Sequence, residues 1–324
     1  MSVLILAQER DEHATAVAAE LTRLGGEFDI VDTSQFPDRA RVVARYETCE
    51  NCRERVFLLE LERGRIDLGN VGAGWWRRPQ HPAPSPVLRR QDHQVFVVNE
   101  THEALRGLWH ALDVFWINDP GRDEVAHRKL LQLRVAQEVG LEIPSTLVTN
   151  DVAAARAYVD VRGYRDVICK AFSATEQQWR ETRLVGEQEL AALENVRYAP
   201  VIFQEYIPAD VDLRVTVVGD QIFAAAIHSQ ESEYPVDFRM DMTNTRITPD
   251  ELPADVCEKL LELMGRLGIV YGAIDLRRTP DGRHVFLEVN PAGQWLFVEI
   301  ETGQPIAAAV AQELLAHDRE TARA

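Results

Sequence analysis

Short apolar runs alternate with a helix-like periodicity at the start of the chain. Residues 3–7 and 28–31 predict strands, and between them Asp11 caps a predicted helix that Gly25-Gly26 closes. The spacing on that helix points four side chains inward: Ala16, Ala19, Leu21 and Leu24. A strand, a helix and a strand at this spacing predict the start of a parallel α/β domain.

The rest of the pattern predicts further elements around clear turn signals. Helices are predicted at residues 91–112, 123–139 and 253–267, and strands at 114–117, 167–172 and 201–207. Three predicted hairpins turn at residues 62–65, 219–220 and 281–282. Together these elements predict a mixed α/β (α+β) fold.

Composition argues against several classes of protein. The 324 residues carry a net charge of −17, whereas a nucleic-acid binder needs a basic surface. No apolar run approaches the ~20 residues that span a bilayer, and the N-terminus lacks the basic start of a secretory signal. We therefore expect a cytoplasmic protein with neither a nucleic-acid nor a membrane partner.

Cysteine usage leaves one question open. Four cysteines are too few for a disulfide framework in a chain of this size. Cys49 and Cys52 have the spacing of half a zinc site, but no second Cys or His pair lies nearby in the sequence. Two interpretations remain: a surface hairpin without a role, or a zinc ion shared across a dimer.

The hairpin around Asp281-Gly282 places acidic side chains together. With this turn as its centre, Asp275 lies directly opposite Glu288, and Asn290 follows two residues later on the same face. Two opposed carboxylates repel each other unless a cation lies between them. Either Mg²⁺, which prefers such oxygen ligands, or Arg277 on the same face would neutralise the pair.

Lysine is rare in this chain. Among 35 basic residues only Lys129, Lys170 and Lys259 are lysines. Lys170 lies in an apolar strand, where a polyphosphate would satisfy its charge; the alternative is a side chain that reaches water. Lys129 lies on a predicted helix, where a solvated face is the default.

Polar residues also mark the end of the strand at 201–207 and the start of the next. Glu205, Tyr206 and Ile207 precede Pro208 and predict a hinge whose edge would hydrogen-bond a purine. Asp212 and Arg214 share one face of the following strand, where a local ion pair is the simplest interpretation.

The order of these residues resembles the ATP-grasp ligase superfamily. The resemblance implies an N-terminal pre-ATP-grasp domain (1–119), a central domain (120–205) and a C-terminal grasp domain with the metal site (206–324). It implies that ATP contacts six residues: Lys129, Lys170, Glu205, Tyr206, Ile207 and Asp212. It also implies that Asp275, Glu288 and Asn290 hold Mg²⁺.

Three longer motifs narrow the resemblance to the peptide ligases that make microviridins and other graspetides. They are the aromatic-Arg-Arg-Pro segment at 75–79, the segments at 129–134 and 140–150, and the ending at 288–295 with Glu299 and Thr302-Gly303. Residues 236–239 are also similar to ribosomal-protein glutamate ligases, in which the Arg lies near phosphate and a substrate carboxylate. The resemblance extends from about residue 3 to residue 316.

This resemblance implies an ADP-forming carboxylate ligase. ATP would phosphorylate Asp or Glu side chains of a ribosomal precursor peptide, and a Thr, Ser or Lys side chain would capture the acylphosphate as an ω-ester or ω-amide. Arg214 and Arg239 would be catalytic and would orient the carboxylate. The enzyme would recognise the leader and the core of the peptide and would form a homodimer.

Departures from the pattern keep alternatives open. The glycine-rich loop of many ATP-grasp enzymes is missing between Ala171 and Pro200: either residues 173–175 serve instead, or the loop becomes ordered only with peptide bound. Residues Arg77, Arg78, Arg89 and Arg90 form a basic patch that is either a solvated loop, a site for an acidic peptide core or an interface. The alternative functions are a ligase that adds a free amino acid or amine to a peptide or protein, and a catalytically silent peptide-binding module.

Overall fold

The computed structural model describes residues 1–49, 52–172, 182–231 and 245–321. The helices are Glu12–Arg23 (α1), Gln91–Ala111 (α2), Pro120–Ala126 (α3), Lys129–Glu138 (α4), Val152–Arg162 (α5), Glu187–Ala191 (α6), Ala254–Leu267 (α7), Leu296–Thr302 (α8) and Ile306–Thr321 (α9). The strands are Ser2–Leu6 (β1), Phe28–Val31 (β2), Arg41–Cys49 (β3), Cys52–Leu61 (β4), Gly64–Asp67 (β5), Val71–Trp76 (β6), Phe115–Ile117 (β7), Thr146–Thr149 (β8), Val167–Lys170 (β9), Arg183–Leu184 (β10), Val201–Glu205 (β11), Val211–Val218 (β12), Gln221–Ile227 (β13), Ile247–Asp250 (β14), Tyr271–Arg278 (β15) and His284–Asn290 (β16).

A parallel sheet in the order β2-β1-β6-β7 begins the fold, as the alternating pattern predicts. Asp11 caps α1 by accepting a hydrogen bond from the amide of Ala14 at 2.8 Å. The predicted inward face of α1 is wrong at Ala19, which is exposed. The buried side chains are His13, Ala14, Val17, Ala18 and Leu21, because a period of 3.6 residues puts these positions on one face.

A small antiparallel sheet, β3-β4-β5, packs beside this N-terminal parallel sheet. The predicted hairpin around residues 62–65 is present, but β4 is longer than expected and pairs with β3, a strand that the pattern did not predict. The two strands bring Cys49 opposite Cys52 in a hairpin. This placement does not distinguish a hairpin without a role from a zinc site.

The predicted helix at 123–139 is two helices. Asp119 caps α3 by accepting from the amide of Arg122 at 2.9 Å, and α3 ends at Ala126. Arg128 then has an extended backbone, so α4 begins at Lys129. The break puts Lys129 at the first turn of α4, next to the sheet that follows. That sheet is antiparallel, in the order β10-β9-β11-β8.

A five-stranded antiparallel sheet, β14-β13-β12-β15-β16, carries most of the predicted site. One face packs on α7, whose Leu260 and Leu263 are fully buried. The other face shares a core with the N-terminal sheet: Val3 and Ile5 of β1 lie in one cluster with Val218, Tyr271 and Trp295. No helix in the part of the chain that the structure describes is long and apolar enough to cross a membrane.

Candidate active site

The hairpin β15–β16 brings the two predicted metal acids together. Asp275 pairs with Glu288, as the sequence predicts, and Asn290 pairs with Ala273 further along the sheet. Nearer the turn the register differs by one residue from a simple two-residue turn, since Arg278 pairs with His284. A β-bulge between Asp275 and Leu276 restores the predicted register. The two acids therefore lie opposite each other, just beyond the bulge from the turn.

Each acid has its own cation from a different element. Arg214 of β12 donates from Nη1 to Oδ1 of Asp275 at 2.7 Å, and Nζ of Lys129 in α4 donates to Oε2 of Glu288. The four side chains are between 10% and 24% exposed. The four side chains form a row in the order Arg214, Asp275, Glu288 and Lys129, with the two acids between the two cations. The cations can attract phosphate, and the acids can attract a metal ion.

Arg277 pairs with Asp212 of β12, which differs from its expected place beside the acid pair. Its Nε donates to Oδ1 of Asp212 at 2.7 Å, and both side chains are buried. The reason is the pairing of β12 with β15, which sets Asp212 directly opposite Arg277 and Arg214 directly opposite Asp275. The expected local ion pair of Asp212 with Arg214 is wrong, because each of these residues pairs with β15 instead.

Arg277 instead supports the predicted hinge. It donates from Nη1 to the carbonyl of Ile207 at 2.9 Å, and its guanidinium lies 5.4 Å from the ring of Tyr206. Burial lowers the pKa of Arg277, but the charge and hydrogen bond of Asp212 more than offset this and raise it overall. Asp212 therefore contacts the residue that supports the hinge, and its predicted contact with ATP stays a prediction.

The hinge itself ends β11. The carboxylate of Glu205 accepts a hydrogen bond from the amide of Ser145 at 3.3 Å, and the amide of Glu205 donates to the Ser145 carbonyl at 2.9 Å. The amide of Tyr206 donates to the Asp166 carbonyl at 2.9 Å. The hinge is thus fixed to the central sheet on one side and to Arg277 on the other.

Lys129 and Lys170 line the same small cavity between α4, β9, β11 and β16. Lys170 is the last residue of β9 and lies opposite Ile202 of β11. Gln204, which is also in β11, lies in the cavity wall. This arrangement brings together the two lysines that the resemblance assigns to phosphates. The third lysine, Lys259, is a half-buried residue of α7 whose Nζ donates to Asp255 at 3.0 Å.

Gln132 fixes α4 against β16 and was missed by sequence analysis. Its buried amide donates to the carbonyl of Val289 at 2.7 Å and accepts from the amide of Val289 at 3.1 Å. Such a paired contact holds the helix in register with the strand, so Lys129 meets Glu288. The available signal was a polar residue three positions after Lys129 on an otherwise apolar helix face.

The loop after Asn290 joins the N-terminal sheet to the site. Arg77 donates to the carbonyl of Ala292 at 2.9 Å and Arg78 to the same carbonyl at 2.7 Å, while Oδ1 of Asn290 accepts from the amide of Ala292 at 3.0 Å. Burial and the charges of Arg77 and Arg214 lower the pKa of Arg78. Arg77 is buried, so it is not part of a solvated patch, whereas Arg89 and Arg90 are exposed.

Two predicted features lie outside the described residues: Arg239 with its motif at 236–239, and the loop at 173–175. Within the described ranges, no group of three or more His, Cys, Asp or Glu side chains is arranged to hold a metal ion. A divalent ion at Asp275, Glu288 and Asn290 would have two carboxylates and one amide oxygen, a hard-oxygen set that suits Mg²⁺ with phosphate completing its coordination.

Comparison with known proteins places this geometry in a family. The family described as MvdD pre-ATP grasp domain matches residues 2–124. The macrocyclase MdnC from Microcystis aeruginosa MRC, solved with the precursor peptide MdnA, is 31% identical, with a TM-score of 0.86 over 97% of this chain and 99% of MdnC. The macrocyclase MdnB from the same organism is 33% identical, with a TM-score of 0.81 over the same shares of the two chains.

A third solved structure is similar over nearly the whole chain. A Chryseobacterium gregarium RiPP-associated ATP-grasp ligase, in complex with ADP and a leader and core peptide, is 25% identical, with a TM-score of 0.87 over 98% of this chain and 97% of that one. No curated protein matches the chain. The fold and these matches over nearly the whole chain define an ATP-grasp ligase. The chain belongs to the ATP-grasp macrocyclase family of MdnC and MdnB.

Proposed function

We propose that this ATP-grasp ligase is a graspetide macrocyclase. It phosphorylates Asp or Glu side chains of a ribosomal precursor peptide with ATP, releases ADP, and closes rings through ω-ester or ω-amide bonds. The observation that carries the proposal is the row Lys129–Glu288–Asp275–Arg214, which lies beside a cavity that Lys170 also lines. Its support from relatives is the macrocyclase MdnC with its bound precursor.

The residues divide the work of carboxylate activation. Lys129 and Lys170 bind the phosphates of ATP, and Glu205, Tyr206 and Ile207 receive the purine at the hinge that Arg277 and Asp212 support. Arg214 orients the substrate carboxylate and balances the charge that develops during phosphoryl transfer, a role that it shares with Arg239. Asp275, Glu288 and Asn290 hold Mg²⁺, which when bound neutralises phosphate charge.

The finer parts of the proposal concern partners and assembly. The substrate has a leader that the enzyme recognises and a core that it crosslinks, like the peptide bound to the Chryseobacterium gregarium ligase. We propose a microviridin-type homodimer in the cytoplasm, with the division 1–119, 120–205 and 206–324 as its three domains. In support of an interface, Val95 and Phe96 of α2 are 52% and 64% exposed.

Mass spectrometry tests this function. The candidate precursor peptide encoded beside the gene is incubated with the protein, ATP and Mg²⁺. We expect the loss of one water per ring, with ADP formed and with dependence on the leader segment. A mass gain equal to an added amino acid or amine would instead indicate the ligase that acts between two molecules, and bound ATP without turnover of any acceptor would indicate the silent binding module.

Variants of two of the three proposed metal ligands test the site. Glu288→Ala and Asn290→Ala are expected to lower ADP formation at least about 100-fold, since each removes a group that stabilises transferring phosphate. Glu258→Ala is the matched control, because Glu258 is an exposed residue of α7. Unchanged turnover in both site variants, with the fold intact by circular dichroism, would overturn the metal assignment.

A further inference from the structure

A cavity of about 390 Å³ lies outside the site described above. It lies where β6 and β7 end, between residues 79–82, α2 and α3, and its walls include Trp76, Trp109 and Pro120. Ligands of open α/β sheets bind at this edge, beyond the carboxyl ends of the parallel strands. None of the residues assigned to ATP or Mg²⁺ lines this cavity.

The cavity is next to the row Lys129–Glu288–Asp275–Arg214, called the catalytic row below. Pro79 lies in its wall, and the preceding residue, Arg78, contacts the loop after Asn290. Arg128 also lies in its wall, and the following residue, Lys129, contacts Glu288. Consecutive Cα atoms are about 3.8 Å apart. In each of two segments, 78–79 and 128–129, a residue that lines the cavity is therefore bonded directly to one that contacts the catalytic row or the loop beside it. The cavity and the catalytic row are therefore neighbouring features of the structure, connected through residues 78–79 and 128–129.

The wall of the cavity offers two hydrogen-bond acceptors. Asp123 is only 5% exposed; its Oδ2 lies 3.3 Å from Nδ1 of His127, while its Oδ1 has no hydrogen-bond partner among the described residues. A buried carboxylate oxygen without a donor is costly, so a donor from a ligand stabilises this site. Nδ1 of His127 also lies 2.8 Å from the Asp123 carbonyl, which makes Nδ1 the protonated nitrogen and leaves Nε2 as an acceptor in the neutral ring.

The surroundings define what fits these acceptors. Glu124 is paired with Arg106 at 2.9 Å and with Arg128 at 3.0 Å, so the two arginines balance the charges of Glu124 and Asp123 at this wall. Trp76, Leu105 and Trp109 supply apolar surface. The complementary ligand is a side chain with a short apolar stem and a neutral donor at its end, namely a hydroxyl or an amine.

We propose that this cavity, the capture pocket, holds the hydroxyl- or amine-bearing side chain of the substrate peptide that attacks the activated carboxylate. The inference rests on the proposed function. In the step, the donor oxygen or nitrogen bonds to the acyl carbon, the bond from that carbon to phosphate breaks, and inorganic phosphate leaves with the electron pair. The proton of the donor passes to Nε2 of His127, which Asp123 orients.

Coupling of ADP to ring formation tests the capture pocket. The variants are Asp123→Asn and His127→Asn, and the matched control is His93→Asn, since His93 is exposed on α2 and does not line the pocket. The peptide that the parent protein crosslinks is the substrate. We expect about 100-fold fewer rings per ADP in both variants, because the acylphosphate forms and is then lost to water. The control keeps the parent ratio.

A structural role would give a different result, since ADP and rings would fall together and their ratio would not change. That outcome, or an unchanged ratio in His127→Asn alone, overturns the proposal. His127 is half-exposed, so this variant tests the pocket even where Asp123→Asn fails to fold.

A binding experiment separates failure of the pocket from failure of the macrocyclase function. The ring resonances of His127 are followed by NMR while N-acetylthreonine amide, N-acetyllysine amide or N-acetylvaline amide is added to the whole protein. We expect shifts with the threonine or the lysine probe, which tells a hydroxyl pocket from an amine pocket, and none with the valine probe. No shift with either donor, or equal shifts with valine, overturns the proposal whether or not the protein crosslinks peptides.

Discussion

His13 shows how a single side chain depends on its charge state. Its Nε2 accepts hydrogen bonds from the amides of Trp295 at 3.2 Å and Leu296 at 3.3 Å, and its ring lies edge-on to Trp295 at 5.0 Å. These contacts require an unprotonated Nε2. Burial and the charge of Arg77 accordingly lower the pKa of His13 to about 4. The residue joins α1 to the start of α8, and it does so only when neutral.

This neutral contact predicts a pH dependence of stability. The pKa of His13 is lowered on folding from 6.5 to about 4, so its contribution is complete above pH 6.5 and is lost as the pH falls towards 4. Between pH 7.5 and pH 5 the free energy of unfolding should fall by about 2 kcal/mol through this residue. Chemical denaturation at both pH values, in the parent and in His13→Gln, measures the difference.

His13→Gln is less stable than the parent at pH 7.5, but it should lose about 2 kcal/mol less between the two pH values. Other groups that titrate in this range contribute equally to both proteins and cancel in the comparison. An equal loss in parent and variant would show that His13 is not responsible for the pH dependence.

At the residue scale, the sequence predicts the acid pair but not its neighbours. The turn Asp281-Gly282 and strand alternation are local signals, and they place Asp275 opposite Glu288. The partners Arg214 and Lys129 lie 61 and 159 positions away from the acids that they contact. No local pattern contains such contacts. The roles of the site residues stay predictions that the variants above test.

At the scale of elements, the sequence predicts most helices and strands but misses the break between α3 and α4. Apolar periodicity continues through residues 123–139, so it predicts one helix, whereas the structure ends α3 at Ala126 and starts α4 at Lys129. The cause is tertiary: Gln132 contacts both the carbonyl of Ala126 at 2.6 Å and β16. Contacts of this kind override helix propensity, which is a weak preference per residue.

Close packing of β6 gives a prediction at the same scale. A Cβ added at Gly74 would lie 2.4 Å from the indole of Trp116 on the neighbouring strand, which is too short for any contact. Gly74→Ala should therefore lower the free energy of unfolding by about 1–3 kcal/mol through overpacking. Thermal unfolding of parent and variant measures the effect.

Gly107 provides the control for this substitution. It lies exposed on α2 with nothing within 4 Å of an added Cβ, so Gly107→Ala should stabilise the protein by about 0.5–1 kcal/mol through helix propensity. The two substitutions add the same methyl group and are expected to act in opposite directions. A neutral Gly74→Ala would mean that Trp116 moves aside at little cost.

At the scale of the whole molecule, the N-terminal and the five-stranded sheets share one core. Val3 and Ala73 of the N-terminal sheet lie in the same buried cluster as Ala273, Val298 and Val310. Sequence analysis predicts the order of the segments and three domains, but it contains no signal for this shared core, because apolar periodicity shows which face is buried and not what covers it. The hydrogen bonds of Arg77 and Arg78 with the carbonyl of Ala292 depend on this shared core.

Asn118 provides the test of whether the two sheets form one unit. At the end of β7 it is buried and makes four hydrogen bonds: its amide donates to the carbonyls of Tyr271 at 2.9 Å and Pro291 at 3.0 Å, and its Oδ1 accepts from the amides of Val270 and Tyr271, both at 2.8 Å. Asn118→Ala leaves these buried groups without partners, so the free energy of unfolding should fall by at least about 3 kcal/mol.

The shared core also determines where this loss appears. If the sheets unfold together, hydrogen–deuterium exchange measured by mass spectrometry should rise to the same extent in β1 and β6 as in β12 and β15, because all four strands exchange through one global opening. Asn99→Ala, an exposed substitution on α2, should raise stability by no more than about 0.7 kcal/mol and should not speed exchange in these strands. Faster exchange confined to β7 and the loop after Asn290 would show instead that the sheets open independently. In that case, the contacts of Arg77 and Arg78 with Ala292 would form and break in an equilibrium of their own.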